Sequence, residues 1–193
     1  MYDEYSIVIA GVGGQGGLTL SRVIATAATL SGLSVKTGET LGMAQRGGSV
    51  QSYVKIGKVI RSPMIKRETA NALIGLEPLE AVRAINYVGL DTKVVLDPDP
   101  IPTIFNLVGR ENYPEVGELL RKLKERTKLL YIVYARRESD KLNTGKSANM
   151  ILLGKLISID PFLPPEKIEE AIRIVLGRKA EKAVTAFRIG ATL

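Results

Sequence analysis

The sequence alternates between short apolar runs and longer stretches in which apolar residues recur every three or four positions. Residues 5–10, Tyr-Ser-Ile-Val-Ile-Ala, form a run β-branched at its centre, which reads as a buried strand of a parallel sheet. Beyond a glycine-rich turn, Leu20, Val23, Ile24, Ala27 and Ala28 keep helical spacing until Gly32. A short strand follows at 34–36, another at 50–56 with a Gly57-Lys58 turn, and a buried one at 71–76. Pro78 suits the first turn of a helix carrying Leu79, Val82 and Ile85. Residues 93–96 read as a strand ending at Asp97-Pro98-Asp99-Pro100. Pro114 opens a helix with Val116, Leu119, Leu120 and Leu123 on one face, and 129–134 is the last strong strand.

From about Thr144 the pattern is helical throughout. Residues 148–159 are apolar on nearly every side, as in a buried helix. Pro165 starts a helix with Ile168, Ala171, Ile172, Val175 and Leu176, and Ala180, Ala183, Val184 and Phe187 mark a short final one. This order predicts an α/β, Rossmann-like three-layer α/β/α domain with a mostly parallel sheet over residues 1–143. Residues 144–193 form a helical C-terminal tail of that same domain.

Composition narrows the chemistry. The 193 residues include no cysteine and no histidine. Iron–sulfur ligation by thiolates, disulfides, His-held metals and a Ser-His-Asp triad are therefore excluded for this chain. No apolar stretch approaches the length of a membrane span. The acidic start, Met-Tyr-Asp-Glu-Tyr, is unlike a signal peptide, so a cytoplasmic protein is expected. The net charge of +7 is concentrated after residue 109, where seventeen basic residues face eleven acidic ones. Much of that excess lies at 121–128, the expected face and end of a helix. With ten aromatic residues and no recognisable module, nucleic acid is not an expected partner.

Two segments carry possible chemistry. Gly11-x-Gly13-x-x-Gly16 lies between a predicted strand and helix, where glycines let the backbone approach a phosphate at a helix N-terminus. A dinucleotide site also wants an acidic residue closing the second strand; here stand Lys36, Thr37 and Gly38, with Glu39 later. Phosphate binding and a tight turn used for packing or subunit contact both remain open. Residues 37–51, Thr-Gly-Glu-Thr-Leu-Gly-Met-Ala-Gln-Arg-Gly-Gly-Ser-Val-Gln, have little to bury and read as a loop placed against a ligand or partner. Gly145-Lys146-Ser147 ends like a P-loop, but Asp140 stands where its first glycine belongs, so the match is fortuitous. Asp97 and Asp99 read as a structural turn rather than a metal pair.

Together the Gly-Gly-Gln-Gly run at 13–16, the Gln-Arg-Gly-Gly run at 45–48 and the apolar helix around 149–156 resemble one family over nearly the whole chain. It is the gamma-type subunit or domain of 2-oxoacid:ferredoxin oxidoreductases, and the likeness is to the small subunits of the indolepyruvate enzymes. The resemblance implies oxidative decarboxylation of a 2-oxoacid with coenzyme A, giving an acyl-CoA, carbon dioxide and reduced ferredoxin. It implies no cofactor bound by this chain alone and no catalytic residue on it. Thiamine diphosphate and Fe-S clusters would lie on a large partner subunit, with ferredoxin reached through the complex. The residues expected to meet coenzyme A, a phosphate or the partner are Gly11, Gly13, Gly14, Gln15, Gly16, Thr40, Gln45, Arg46, Gly47, Gly48 and Ser49. The competing reading is a stand-alone nucleotide-binding protein, with Lys36 meeting an NADP 2′-phosphate; a third is a scaffold without ligand.

Overall fold

The apolar run at the start extends into β1 (Glu4–Val12), the strand around which the rest is arranged. The computed structural model describes residues 3–40, 48–102, 109, 112–142 and 147–193. After β1 come α1 (Gly17–Leu30), β2 (Ser34–Thr40), β3 (Ser49–Gly57), β4 (Ala72–Gly75), α2 (Pro78–Arg83) and β5 (Lys93–Leu96). Then follow α3 (Val116–Arg126), β6 (Leu130–Ile132), α4 (Ala135–Lys141), α5 (Ala148–Ile159), α6 (Pro165–Leu176) and α7 (Ala180–Thr192).

The strands form one sheet in the order β2-β3-β1-β4-β5-β6. Pairings β1–β4, β4–β5 and β5–β6 are parallel. The expected parallel neighbour on the other side of β1 is replaced by β3, which runs antiparallel to both β1 and β2. Only residues 41–48 join β2 to β3, fewer than the roughly dozen that a parallel crossover needs, so this pair closes as a hairpin. Residues 37–40 and 49–51 are thus strand rather than the expected loop, paired as Thr37 with Val54 and Thr40 with Gln51.

Side-chain alternation on the sheet divides the core in two. Ile7, Ile9, Ile74 and Val95 face α1 together with α5, α6 and α7. Val8, Ala10, Leu73, Val94 and Leu96 face α2 and α3, which contribute Ala81 and Leu123. On that face α1 and α5 lie against the strands, and α6 and α7 pack in turn on α1 and α5. Met150, Ile151, Leu152, Leu153 and Leu156 of α5 are all buried in that layer. Tyr5 ties the layer to the sheet: its hydroxyl donates to Asp160 Oδ2 at 2.7 Å, and its ring stacks on Phe162 at 4.3 Å.

Three local differences have simple causes. The final helix runs thirteen residues, with buried positions from Ala180 to Gly190, and packs on α5 and α6. Gly154 and Gly190 make that approach possible: a methyl on either would enter the backbone of the facing helix, at Phe187 or Ile151 respectively. Of the segment 129–134, Leu130–Ile132 form the edge strand β6, with Leu129 and Val133 bonded to β5 at its two ends. Its end turns directly into α4, a helix too polar to show a periodic signal.

Candidate functional site at the carboxyl edge of the sheet

The glycine-rich turn leaves β1 where β4 and β5 also end, the edge of an α/β sheet at which ligands bind. Gly11 and Val12 are still strand, opposite Val50 and Ser49. The Gly13 amide then donates to the Gly48 carbonyl at 2.8 Å, joining the turn to the end of the second glycine-rich segment. Gln15 is spent inside the chain. Its Oε1 accepts from the Val12 amide at 2.8 Å and its Nε2 donates to the Leu76 carbonyl at 2.7 Å, stitching β1 to the residue after β4.

Gly16 takes φ 82°, the left-handed region, and its carbonyl accepts from Asn149 Nδ2 at 3.0 Å and from the Leu20 amide at 2.9 Å. Gly14 is also left-handed, at φ 99°, and open on its Cα. A side chain is disfavoured at both positions for conformational reasons. Gly14 is exposed at the mouth of the cavities described below.

The root of the second segment is anchored by acids that the sequence did not single out. The Ser49 hydroxyl donates to Glu80 Oε2, while Arg83 pairs with Glu80 Oε1 at 2.5 Å. Glu77 caps α2 through the Glu80 amide at 2.9 Å and accepts from the Tyr113 hydroxyl. Burial, followed by the bond to Glu77, pushes the Tyr113 hydroxyl above the usual tyrosine range. Both carboxylates are sealed from solvent. Thr40 Oγ1 donates to the Gln51 carbonyl at 3.3 Å and accepts from its amide at 3.2 Å. The neutral groups of Gln15, Thr40 and Ser49 thus have partners within the chain, which lowers their expected part in binding. Gln45, Arg46 and Gly47 lie outside the described residues; Gly48 and Ser49 lie beside the turn.

Three depressions meet at this edge. One of about 390 Å³ lies between Gly13–Gly14, Leu76, Arg136 and α5. Another, of about 640 Å³, runs from Gly14 and Gly16 past Thr19 to Arg178, Lys179 and Lys182. These three cations follow α6 and were hidden in the sequence among many surface lysines. The third, about 390 Å³, is lined by Gly11, Gly17, Leu18 and Glu39. Glu39 stands one residue from the end of β2, so the second strand does carry an acid near its close, contrary to the expectation from a strand at 34–36. Because β3 intervenes, however, β2 lies two strand spacings from β1, roughly 10 Å instead of about 5 Å.

The turn at 97–100 is structural, as read. Asp97 accepts from the amides of Asp99 at 3.0 Å and Arg136 at 2.9 Å, and Asp99 pairs with Arg137 Nε at 2.8 Å. Among the described residues no cluster of acids could hold a metal ion, and no helix is long and apolar enough to cross a membrane.

Comparison with known proteins bears on all of this. The family model for pyruvate ferredoxin/flavodoxin oxidoreductase matches residues 6–193. The "Indolepyruvate oxidoreductase subunit IorB" of Archaeoglobus fulgidus is 40% identical over 176 residues, covering 90% of this chain and 87% of that protein. Its counterpart from Pyrococcus horikoshii is 34% identical over 190 residues, 97% of this chain and 94% of the relative. The fold matches that of pyruvate oxidoreductase subunit PORC from Thermotoga maritima, with a TM-score of 0.72 at 18% identity over 99% of this chain and 97% of that one. It also matches 31% of a chain of 2-oxoglutarate:ferredoxin oxidoreductase from Magnetococcus marinus, solved with 2-oxoglutarate, coenzyme A and succinyl-CoA bound. There the TM-score is 0.74 at 19% identity over 100% of this chain. This chain belongs to the pyruvate ferredoxin/flavodoxin oxidoreductase family, as one of its small, gamma-type subunits.

Proposed function

We propose that this subunit serves an enzyme acting on indolepyruvate or a related aryl pyruvate, and that its two glycine-rich segments meet coenzyme A or the large subunit. The reaction is oxidative decarboxylation to an acyl-CoA and carbon dioxide with electrons passing to ferredoxin. Substrate choice rests on the likeness to the IorB proteins, at 34–40% identity. Thiamine diphosphate and Fe-S clusters belong on the partner: with no cysteine and no histidine, this chain has no thiolate for a cluster and no imidazole base.

The observation that supports the reading is the Gly13–Gly48 hydrogen bond, which brings the turn after β1 against the residue that precedes β3. Exposed backbone at Gly14, with Arg178, Lys179 and Lys182 lining the same depression, suits the phosphates of coenzyme A or an acidic surface on the partner. Arg46, the planar cation of the second segment, has the chemistry to meet the same acidic groups.

The test is reconstitution. Co-purified with its large partner, the subunit should be required for coenzyme A-dependent viologen reduction by aryl pyruvates. The isolated chain should be colourless and inactive toward 2-oxoacids. Turnover by the small chain alone, or full turnover by the partner without it, would refute the reading.

A second reading, nucleotide binding, is favoured by one observation: Glu39 shares a depression with the glycine turn. Calorimetry should nevertheless find NAD and NADP weak, since Glu39 stands one strand too far from β1 for the dinucleotide arrangement. Low-micromolar binding would favour the alternative.

A further inference from the structure

The three most exposed large apolar side chains among the described residues are Val59 at 73%, Met64 at 77% and Leu90 at 81%. Val59 and Met64 belong to the strap 58–68 that leads from β3 toward β4, and Leu90 to the loop beside its end. The strap has no regular structure, yet it is held along its length. Ile60 and Ile65 are buried, the Ile60 amide donates to Ser34 Oγ at 3.3 Å, and Pro63 packs on Gly38. Ser34 and Gly38 share one face of β2 by strand alternation, and Val35, on the other, packs with α1. The strap therefore lies on the side of β2 away from α1. At its end the Glu68 amide donates to the Asn86 carbonyl at 2.9 Å, and a methyl on Gly89 would strike the Glu68 carbonyl.

The same strap is basic. Lys58, Arg61, Lys66 and Arg67 are exposed, and none of them forms an ion pair among the described residues. Its one acid, Glu68, is spent on Arg126 at 2.7 Å. A lone exposed apolar residue needs no explanation, but three on one strap and its neighbouring loop, interleaved with unpaired cations, mark a contact surface. A backbone anchored before contact also leaves less to be ordered on binding.

We propose that this strap docks on the large subunit, with Val59, Met64 and Leu90 entering apolar sockets and Arg61, Lys66 and Arg67 meeting carboxylates around them. The proposal rests on the reading that such a subunit exists, and on neither glycine-rich segment. Charge and composition choose the occupant. A second copy of the chain would set the same cations against each other, which opposes pairing. Nucleic acid is held by stacking on aromatic rings, and residues 58–68 contain none. An anionic membrane is met by an amphipathic helix or a lipid anchor, and the strap has no helix. A protein face with an apolar centre and an acidic rim answers both features of the strap. As a small subunit of its family, this chain has an assembly partner to supply that face.

Association of the full chain with the large subunit is measured by sedimentation velocity, independently of turnover. Met64→Asp, and separately Arg61→Glu combined with Arg67→Glu, should each raise the Kd about tenfold or more. The charge-reversed pair should also lose the weakening that salt causes in the parent. Ile174→Asp and Arg22→Glu make the same changes on α6 and α1, across the sheet, and should bind like the parent. All the altered side chains are exposed, so each variant should melt like the parent. Parental binding by Met64→Asp or by the charge-reversed pair overturns the proposal, as does an equal loss in the two controls. So does a strap engaged elsewhere: self-association of the isolated chain, or capture on phosphatidylserine vesicles, that Met64→Asp abolishes. Strap variants that fail to assemble, beside a parental complex inactive toward aryl pyruvates, would sink the functional reading and keep this one. Strap variants that assemble and turn over fully would do the reverse. A parental chain that does not associate with the large subunit overturns both.

Discussion

The amide of Gly13 and the carbonyl of Gly48 are 2.8 Å apart, though thirty-five positions separate them in sequence. The bond continues the β1–β3 ladder one step past its last pair, Val12 with Ser49. Two segments that look like separate loops in the sequence are therefore the ends of two paired strands.

Gln15 locks this arrangement, so Gln15→Glu should cost stability rather than a ligand contact. The carboxylate can still accept from the Val12 amide, but it cannot donate to the Leu76 carbonyl, which is then left without that partner. An unmade bond at a part-buried carbonyl costs about 1–3 kcal/mol. The thermal midpoint should fall by roughly 2–4 °C per kcal/mol for a chain of this size. An unchanged midpoint by calorimetry would show the bridge to be dispensable.

Arg46 is the cation of the second segment, and Arg46→Ala should weaken assembly with the large subunit or raise the KM for coenzyme A. If it pairs with a buried acid at the interface, the loss should be about 2–5 kcal/mol, and far less at a rim. Lys124→Ala, on α3, should change neither. Parental assembly and turnover by Arg46→Ala at limiting coenzyme A would remove this residue from the site.

Gly190→Ala should be among the most damaging small substitutions in the chain. Its methyl would overlap the Ile151 backbone of α5, which has no flexible side chain to move aside. Overpacking of this kind costs about 1–3 kcal/mol or more. A melting experiment in which Gly190→Ala matches the parent would mean that the two helices can separate freely.

Acid stability should depend on Glu169. Hydrogen bonds from Arg188, with Nε and Nη2 both at 2.6 Å, outweigh burial and hold this carboxyl below the ordinary carboxylate range. A folded-state pKa that is depressed stabilises above the unfolded value of about 4.3, and the contribution disappears as pH falls through the folded value. Glu169→Gln should therefore lower the stability at neutral pH by an amount typical of a good surface pair, about 1 kcal/mol or less. The difference from the parent should close in strong acid. A gap independent of pH would assign the effect to packing.

Much of this molecule was legible in the chain because local patterns carry it. The apolar run at 5–10, the helical spacing from Leu20 to Ala28 and the all-round apolar residues 148–159 each record burial directly, and each is an element of the structure. The glycines of the first turn were legible too, since left-handed backbone at Gly14 and Gly16 leaves its mark in residue type. So was the family, from two short runs in a fixed order.

Tertiary structure alone decided the rest. Pairing direction is not written in a strand's own residues, so the insertion of antiparallel β3 between β1 and β2, and with it the distance of Glu39 from the turn, emerged only in the sheet. The polar site residues showed the same limit. A glutamine, a threonine and a serine beside glycines look available, yet Gln15 serves Val12 and Leu76, Thr40 serves Gln51, and Ser49 serves Glu80. Arg136 looked like one more surface cation until folding set it on Asp97 with one nitrogen unanswered. Hydrophobic spacing fixes which face of an element is buried. Which partners a polar atom finds there depends on residues tens of positions away, and only the packed chain brings them together.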